Sequence, residues 1–363
     1  MSTKFARRVA FLFFVLVSAL EAQTESVLIR AAKPYTNLVR AIEARGGRVT
    51  SQYQNVDGFA AEIQRNRLDE ITALAGSGNI SKDLVVPIPT SVNTLFGRNL
   101  ASTGDENRVI ADSVQPLGAS EIASIASANP AAYTLNNSII NAAPLHASGI
   151  TGAGIIVAVI DSGIRPGFPH LTLDGSVIGC LDFVGDALGC MSSANDFHGT
   201  FVAGMISANV NFIFPAASAF RNAVLAECPA CFSNPPTNTV IPMIGTAPLS
   251  SIYAFRVFGP TGGAPTSRIL AAIDSVITLR KKFDLGQQGG INIKVCNMSL
   301  GGARLPPAGD LESAAVASIC IGNAPAIGLT SIPRLHWPPH SRYNANDLPA
   351  QTEFGPAVHL PRV

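Results

Sequence analysis

The feature that most constrains the fold is an apolar run that ends in a carboxylate. Residues 155–160 are all aliphatic and are followed directly by Asp161-Ser162-Gly163. A strand that is apolar on both faces must be buried on both faces, which is typical of parallel sheets covered by helices. The runs 252–258 and 293–298 are also predicted as strands, and the segment 269–279 between them has helical periodicity. The sequence therefore predicts an α/β fold with a mainly parallel, doubly wound sheet.

The segment before this sheet has a different pattern. Within residues 23–90, apolar periodicities predict strands at 26–31, 48–53, 58–63 and 80–88 and helices at 35–45 and 68–74. The resulting order, β-α-β-β-α-β, is the ferredoxin-like arrangement and predicts a small α+β domain. Residues 91–145 are rich in Ser, Ala, Asn and Gly, and we interpret them mostly as linker. The partial α/β domain would then span 146–325, followed by an atypical tail at 326–363.

The N-terminus has the pattern of an export signal. Lys4, Arg7 and Arg8 precede the apolar run 9–20, which breaks at 21–23. A bilayer-spanning helix needs about 20 apolar residues, so the run suits a secretory signal over 1–22, although an uncleaved anchor stays open. We expect a secreted, extracellular protein without a stable membrane anchor. The net charge of +1 indicates no attraction to nucleic acid.

The cysteines agree with an oxidising compartment, because their number is even and all lie at residue 180 or beyond. They are Cys180, Cys190, Cys228, Cys231, Cys296 and Cys320. Local bridges between Cys180 and Cys190 and between Cys228 and Cys231 are predicted, while the full connectivity stays open. Zinc and redox readings of Cys228 and Cys231 also stay open, but no second pair with metal-ligand spacing follows them.

Two motifs predict an acid–base pair. Asp161 would lie at the carboxyl end of a strand, where a carboxylate can hold a histidine in one tautomer. His198 lies in His-Gly-Thr-Phe-Val-Ala-Gly, at the start of a predicted helix, where an imidazole can act as a general base. The alternatives are an aspartate that caps a turn and a histidine that is simply packed.

Two more motifs follow in chain order. Gly245-Thr246-Ala247-Pro248 precedes the strand 252–258, and Asn297-Met298-Ser299-Leu300-Gly301-Gly302 ends the strand 293–298. The exposed backbone of the second motif could pair with an extended peptide, as in strand addition. Between the histidine helix and the Gly-x-Ala-Pro motif lies an insertion, 209–240. We interpret it as a surface excursion pinned by a disulfide, or as a loop that tunes access to a cleft.

These four motifs, in this order, resemble those of the subtilisin-like serine peptidases over residues 145–320. The resemblance implies that Asp161 orients His198 and that His198 takes the proton of a nucleophilic serine. It implies that Ser299, Leu300 and Gly301 line a cleft for a peptide or protein substrate. Residues 23–90, with Val56-Asp57-Gly58-Phe59-Ala60-Ala61, are similar to the family's propeptide, which would act as an intramolecular inhibitor. Many relatives bind calcium, but no ligands are identified here and no other cofactor is expected.

The sequence departs from the family in its last part. The nucleophile motif Gly-Thr-Ser-x-Ala is absent, and the echo around Ser331 lacks the preceding Gly and the following Ala, so the nucleophile stays unassigned. Asn323 is a weak match to the oxyanion-hole asparagine. We therefore expect a secreted serine endopeptidase precursor that is truncated or frame-shifted and inactive as written. The alternative is a peptide-binding pseudo-protease without catalysis.

Overall fold

A computed structural model of the chain describes residues 24–88, 114–128, 137, 139–165, 173–215, 222, 226, 238–260 and 262–301. These residues all belong to one compact unit of the chain. The predicted signal peptide, the tail, Asn323, Ser331, Cys228 and Cys231 lie outside the described residues. Within the described ranges, no helix combines the length and the hydropathy that are needed to cross a membrane.

Residues 24–82 form a four-stranded antiparallel sheet with two helices. Its elements are β1 (Thr24–Arg30), α1 (Thr36–Glu43), β2 (Arg48–Gln52), β3 (Gly58–Gln64), α2 (Leu68–Ala75) and β4 (Ile80–Lys82). The strand order β2-β3-β1-β4 is that of the predicted β-α-β-β-α-β arrangement. Ile29, Phe59 and Ile63 of the sheet pack with Ile42 of α1 and Ile71 of α2, and this purely apolar cluster is the core of the small unit.

The strand predicted at 80–88 is two strands in the structure. β4 pairs with β1, whereas β5 (Val85–Pro87) leaves the small sheet and pairs with residues 263–265. The chain changes direction at Asp83, whose carboxylate accepts hydrogen bonds from the amide and the hydroxyl of Ser267. This contact is between residues 184 positions apart, so local periodicity could not reveal it.

The predicted parallel sheet is confirmed. Its strands are β7 (Ile156–Asp161), β8 (Val177–Asp182), β11 (Ser251–Arg256) and β13 (Ile293–Asn297), and they lie in the order β13-β7-β11-β8 with every pair parallel. Helices α6 (Phe197–Ser207) and α7 (Thr266–Asp284) cover it. Ala158 and Ile160 of β7 share a buried cluster with α7, and Val157 and Val159 share one with Val202 of α6. Alternate residues of one strand therefore face helices on opposite sides of the sheet, as a doubly wound fold requires.

Part of the region interpreted as linker has regular structure. β6 (Val114–Pro116) and α3 (Ala119–Ala128) precede the short helix α4 (Ala143–Ala147). β6 pairs with β9 (Asn209–Pro215), which pairs in turn with β10 (Asn238–Ile244), so the insertion begins and ends in strands. Leu117 and Ile122 are buried against Ile244. That burial depends on a residue far along the chain, so the Ser, Ala, Asn and Gly content of the segment did not reveal it.

The remaining elements complete the sheet region. They are α5 (Leu173–Ser176), which leads directly into β8, and β12 (Gly263–Pro265), which leads directly into α7. Cys180 of β8 forms a disulfide with Cys190, as predicted, with 6.1 Å between their Cα atoms. The bridge closes the loop that follows β8 and leads towards α6.

Candidate active site

Asp161 is the last residue of β7, one of the two inner strands of the parallel sheet. Its side chain is 1% exposed, and it lies in register with Arg256, the last residue of the neighbouring β11. The amide of Val257 donates to the Asp161 carbonyl oxygen at 2.8 Å, which fixes the strand end. A carboxylate so placed lies at the carboxyl edge of the sheet, where sites form in open α/β folds.

His198 is the second residue of α6, and the helix begins where its sequence predicts. The Asp196 side chain caps the helix by accepting a hydrogen bond from the His198 amide at 2.8 Å. An aspartate at this position satisfies one of the free amides of the first turn. The His198 ring is thereby presented from a rigid helix start, with its side chain 14% exposed.

The structure brings Asp161 and His198 into direct contact. His198 Nδ1 lies 2.9 Å from Asp161 Oδ1 and 3.0 Å from Oδ2. An ionised carboxylate only accepts, so Nδ1 carries the proton and the lone pair of the neutral ring lies on Nε2. Burial lowers the pKa of His198, but the hydrogen bond that its ring donates to Asp161 and the charges of Asp161 and Asp196 outweigh it and raise the pKa above its usual value. This arrangement favours an imidazole that accepts a proton at Nε2.

Gly199 shows why the histidine motif needs a glycine. A Cβ atom at this position would lie 3.0 Å from Ser162 Oγ and 3.2 Å from Asp161 Oδ1, and it would overlap the Gly163 carbonyl oxygen. The start of α6 therefore packs directly on the turn that carries Asp161. Any side chain at 199 would separate the two halves of the acid–base pair.

The Gly-x-Ala-Pro motif closes the other end of the same helix. The amides of Gly245, Thr246 and Ala247 donate to carbonyl oxygens at the end of α6 or just beyond it, at 2.7 to 2.9 Å. The Thr246 carbonyl oxygen is in turn 2.9 Å from Nε2 of the buried His146. The motif thus satisfies the free carbonyls of the helix that presents His198, which is a structural role.

The predicted peptide-binding residues follow β13. Ser299 and Leu300 are half-buried and Gly301 is exposed, and Ser299 Oγ donates to Asn297 Oδ1 at 3.0 Å. β13 is parallel to β7, so this segment begins at the same sheet edge as Asp161. Asn323 and Ser331 lie outside the described residues.

A buried arginine lies beside this strand end. The Arg256 side chain is fully buried, and its guanidinium donates to Asp182 at 3.1 Å and to both oxygens of Asp186 at 2.7 Å. The hydrogen bond from Arg256 lowers the pKa of Asp186 to about 2. These two aspartates do not fit a calcium site, because the Arg256 guanidinium already fills the cation position between them. Among the described residues, no three His, Cys, Asp or Glu side chains are grouped as a metal site would require.

The structure contains one strand addition within the chain itself, between β5 and β12. β5 pairs antiparallel with β12, with Val86 opposite Ala264, and Val86 is buried in the same core cluster as Ile269 of α7. The small unit therefore lays an extended segment against the backbone that leads into α7. An extended peptide on a strand edge is the geometry of peptide recognition by strand addition.

Sequence reasoning missed three groups of this site. Ser162, Arg256 and the β5–β12 pair act through contacts between distant parts of the chain. The position of Arg256 at the end of an apolar strand was a usable signal, because a buried arginine requires carboxylate partners. No comparable signal marked β5, which reads as a continuation of β4.

The model of the subtilase family matches residues 152–331. Subtilisin from Bacillus pumilus is 31% identical over 163 residues, which are 45% of this chain and 43% of that protein. Subtilisin E from Bacillus subtilis is also 31% identical over 163 residues, and these are 31% of its length. The minor extracellular protease Vpr from Bacillus subtilis is 26% identical over 71% of this chain and 26% of its own length. The matches thus span less than half the length of these relatives.

Proposed function

We propose that this chain, which belongs to the subtilase family through residues 152–331, is a secreted serine endopeptidase precursor with Asp161 and His198 as its acid–base pair. The observation that carries the proposal is the contact between His198 Nδ1 and the buried Asp161 carboxylate. Because these residues come from two separate motifs at one sheet edge, a packing histidine explains the geometry less well. The even set of cysteines and the Cys180–Cys190 bridge support export to an oxidising compartment.

In this mechanism, His198 Nε2 takes the proton of a serine hydroxyl as the serine oxygen attacks the peptide carbonyl carbon. The imidazolium that forms is stabilised by Asp161, which keeps the ring in one orientation. His198 then returns the proton to the leaving amine, and water hydrolyses the acyl-enzyme with the same base. A raised His198 pKa strengthens the base, but a larger fraction of the ring is then protonated at a given pH.

The serine is the missing member of the proposed triad. The full sequence contains no Gly-Thr-Ser-x-Ala motif, and Ser331 lies in a different context. We therefore propose that the chain as written is inactive. The endopeptidase precursor remains our first candidate, because the acid–base pair is intact.

We also propose that residues 23–90 act as an intramolecular inhibitor of the peptide cleft. Two reciprocal carboxylate contacts support this role. Asp83 of the small unit accepts from the Ser267 amide at the start of α7. Asp274 of α7 accepts from the amides of Gln54 and Asn55 at 2.8 and 2.6 Å. These contacts hold β5 on β12, so the extended segment 85–87 would exclude a substrate strand from that backbone edge.

The second candidate is a peptide-binding relative without catalysis. The β5–β12 pair favours it, because strand pairing on this edge needs no nucleophile. It predicts that the verified coding DNA contains no Gly-Thr-Ser-x-Ala codons in any frame beyond codon 317. The endopeptidase candidate predicts that such codons are found.

A fluorophosphonate serine probe tests the state of the chain itself. We expect no labelling of the full chain, and stoichiometric labelling at any serine would overturn the proposed inactivity. For a chain extended by a recovered Gly-Thr-Ser-x-Ala segment, we expect labelling that His198→Ala abolishes. Equal labelling of the extended chain with and without His198 would contradict the proposed function.

A further inference from the structure

We propose that Ser162 is a positioning residue that locks Asp161 and His198 together through its amide and its hydroxyl group. Ser162 lies between the strand end and the helix start, and it is fully buried. The catalytic purpose of this positioning rests on the proposed function. The positioning itself is supported by the hydrogen bonds of the Ser162 amide and hydroxyl.

The amide of Ser162 fixes the carboxylate. It donates to Asp161 Oδ1 at 2.7 Å, and this oxygen also lies 2.9 Å from His198 Nδ1. The carboxylate is therefore held from the backbone side and from the ring side at once. A charge-assisted hydrogen bond of this length limits rotation of the Asp161 side chain.

The hydroxyl of Ser162 fixes the backbone on both sides of His198. It donates to the Asp196 carbonyl oxygen at 3.0 Å and accepts from the Gly199 amide at 2.9 Å. The Gly199 amide is one of the first amides of α6, which have no partner inside the helix. The absence of a Cβ at Gly199 allows the hydroxyl to approach this amide.

Loss of the hydroxyl would therefore act on the acid–base pair. In Ser162→Ala, two buried backbone groups lose their partner, and a buried unsatisfied group is costly. Those groups regain partners only if the first turn of α6 shifts or admits water. Either change moves His198 relative to Asp161, although neither side chain has been altered.

The alternative is that Ser162 merely stabilises a turn. Ser207 offers a matched control, since it is a fully buried serine at the other end of α6 whose hydroxyl donates to the Ala203 carbonyl oxygen. Ser207→Ala removes a buried hydroxyl from the same helix without touching the acid–base pair. A positioning role predicts that the two variants differ at His198, whereas a structural role predicts that they do not.

The experiment is proton and nitrogen NMR of the histidine-labelled full chain as a function of pH. In the unaltered chain we expect a low-field Nδ1 proton and a His198 pKa above about 6.5, the ordinary value for histidine. In Ser162→Ala we expect the low-field proton to broaden or vanish and the His198 pKa to fall towards that value. Ser162→Thr, which keeps the hydroxyl, should restore both signals. Ser207→Ala should leave both unchanged while lowering the Tm.

Each outcome decides the question. Unchanged His198 signals in Ser162→Ala would overturn the inference and leave the proposed function standing. Absence of the low-field proton in the unaltered chain would instead contradict the Asp161–His198 pair itself. If Ser162→Ala does not fold, Ser162→Cys keeps the volume with a much weaker donor and acceptor, and the same readout applies.

Discussion

The small antiparallel unit and the parallel-sheet region place their charges in opposite ways. In residues 24–82, the ion pairs Arg45–Glu70, Arg48–Glu62 and Arg67–Glu70 lie on the surface, with side chains 31% to 70% exposed. At the end of the parallel strands, Arg256 and Asp161 are 0% and 1% exposed. Exposed pairs contribute little to stability, whereas a buried charge is costly unless it is fully paired.

The charges of the small unit contribute little to its stability, whereas the buried charges of the parallel-sheet region lie where the site's chemistry takes place. The small unit is held by an apolar core and could lose any one surface charge with little consequence. The parallel-sheet region buries Asp161 and Arg256 beside each other at two strand ends, where the carboxylate faces His198. The interface between the regions is intermediate, because it buries Asp83 and Asp274 at 7% exposure each. Three substitutions, one in each setting, test this ranking.

The largest effect is expected at Arg256. Arg256→Leu leaves Asp182 and Asp186 without their shared cation and removes a fully buried guanidinium that makes three hydrogen bonds, so it should lower the free energy of unfolding more than the other substitutions. Urea unfolding followed by circular dichroism measures the free energy of unfolding. Arg45→Leu is the control, because its pair is exposed. Equal losses in the two variants would contradict the comparison.

The acid limb of the stability curve checks the same pair. The pKa of Asp186 is lowered to about 2 in the folded chain, so its stabilisation is complete above the ordinary pKa of about 3.9 and is lost as the pH falls towards 2. In Arg256→Leu most of this lowering should disappear, because the Arg256 hydrogen bond is its largest cause, and the stability should fall less steeply in that range. Persistence of the full acid dependence would show that Arg256 is not its cause.

An intermediate effect is expected at Asp274. Asp274→Ala removes the acceptor of the Gln54 and Asn55 amides, and hydrogen bonds to a charged group contribute about 1.5–3 kcal/mol. Hydrogen exchange should accelerate at these two amides. Asp284→Ala, on the same helix, serves as the control and should leave their exchange unchanged. Protection of both amides in Asp274→Ala would argue against the reciprocal carboxylate contacts.

The smallest effect is expected at Arg48. Its guanidinium lies 2.8 Å from Glu62 but its side chain is 70% exposed, so Arg48→Ala should cost less than about 1 kcal/mol. The same urea unfolding, repeated at high salt, should show an even smaller difference because salt screens exposed pairs. A loss that exceeds that of Arg256→Leu would invert the ranking.

The sequence predicted the parts of the fold that depend on local pattern. The apolar run before Asp161 indicates the end of a strand, and the His-Gly-Thr-Phe-Val-Ala-Gly motif indicates the start of a helix. Both predictions need adjacent residues alone. The β-α-β-β-α-β order was also readable, because each element of 24–82 carries its own periodicity. Asp161 and His198 could be paired because two motifs, 37 residues apart, imply one sheet edge.

The remainder depends on contacts that no local pattern encodes. The predicted strand 80–88 breaks at Asp83, which accepts a hydrogen bond from Ser267, and β6 pairs with β9. Both partners lie far along the chain. Asp182 and Asp186 bind the Arg256 side chain, which belongs to β11 and lies at least 70 positions further along the chain. In the sequence, Ser162 is one residue of the turn that follows a strand. Its contact with the helix that carries His198 depends on Gly199, which lies 37 positions further along the chain.

The packing at Gly199 has a consequence for how substitutions are tolerated in this chain. Its missing Cβ is the space through which the strand end and the helix start meet, so every one of the nineteen alternatives at this codon acts on the Asp161–His198 contact. A saturation scan scored by the low-field His198 proton should therefore rank Gly199 with Asp161 and His198. Under selection for the Asp161–His198 contact, Gly199 would thus tolerate substitution no better than Asp161 or His198, although it has no side chain.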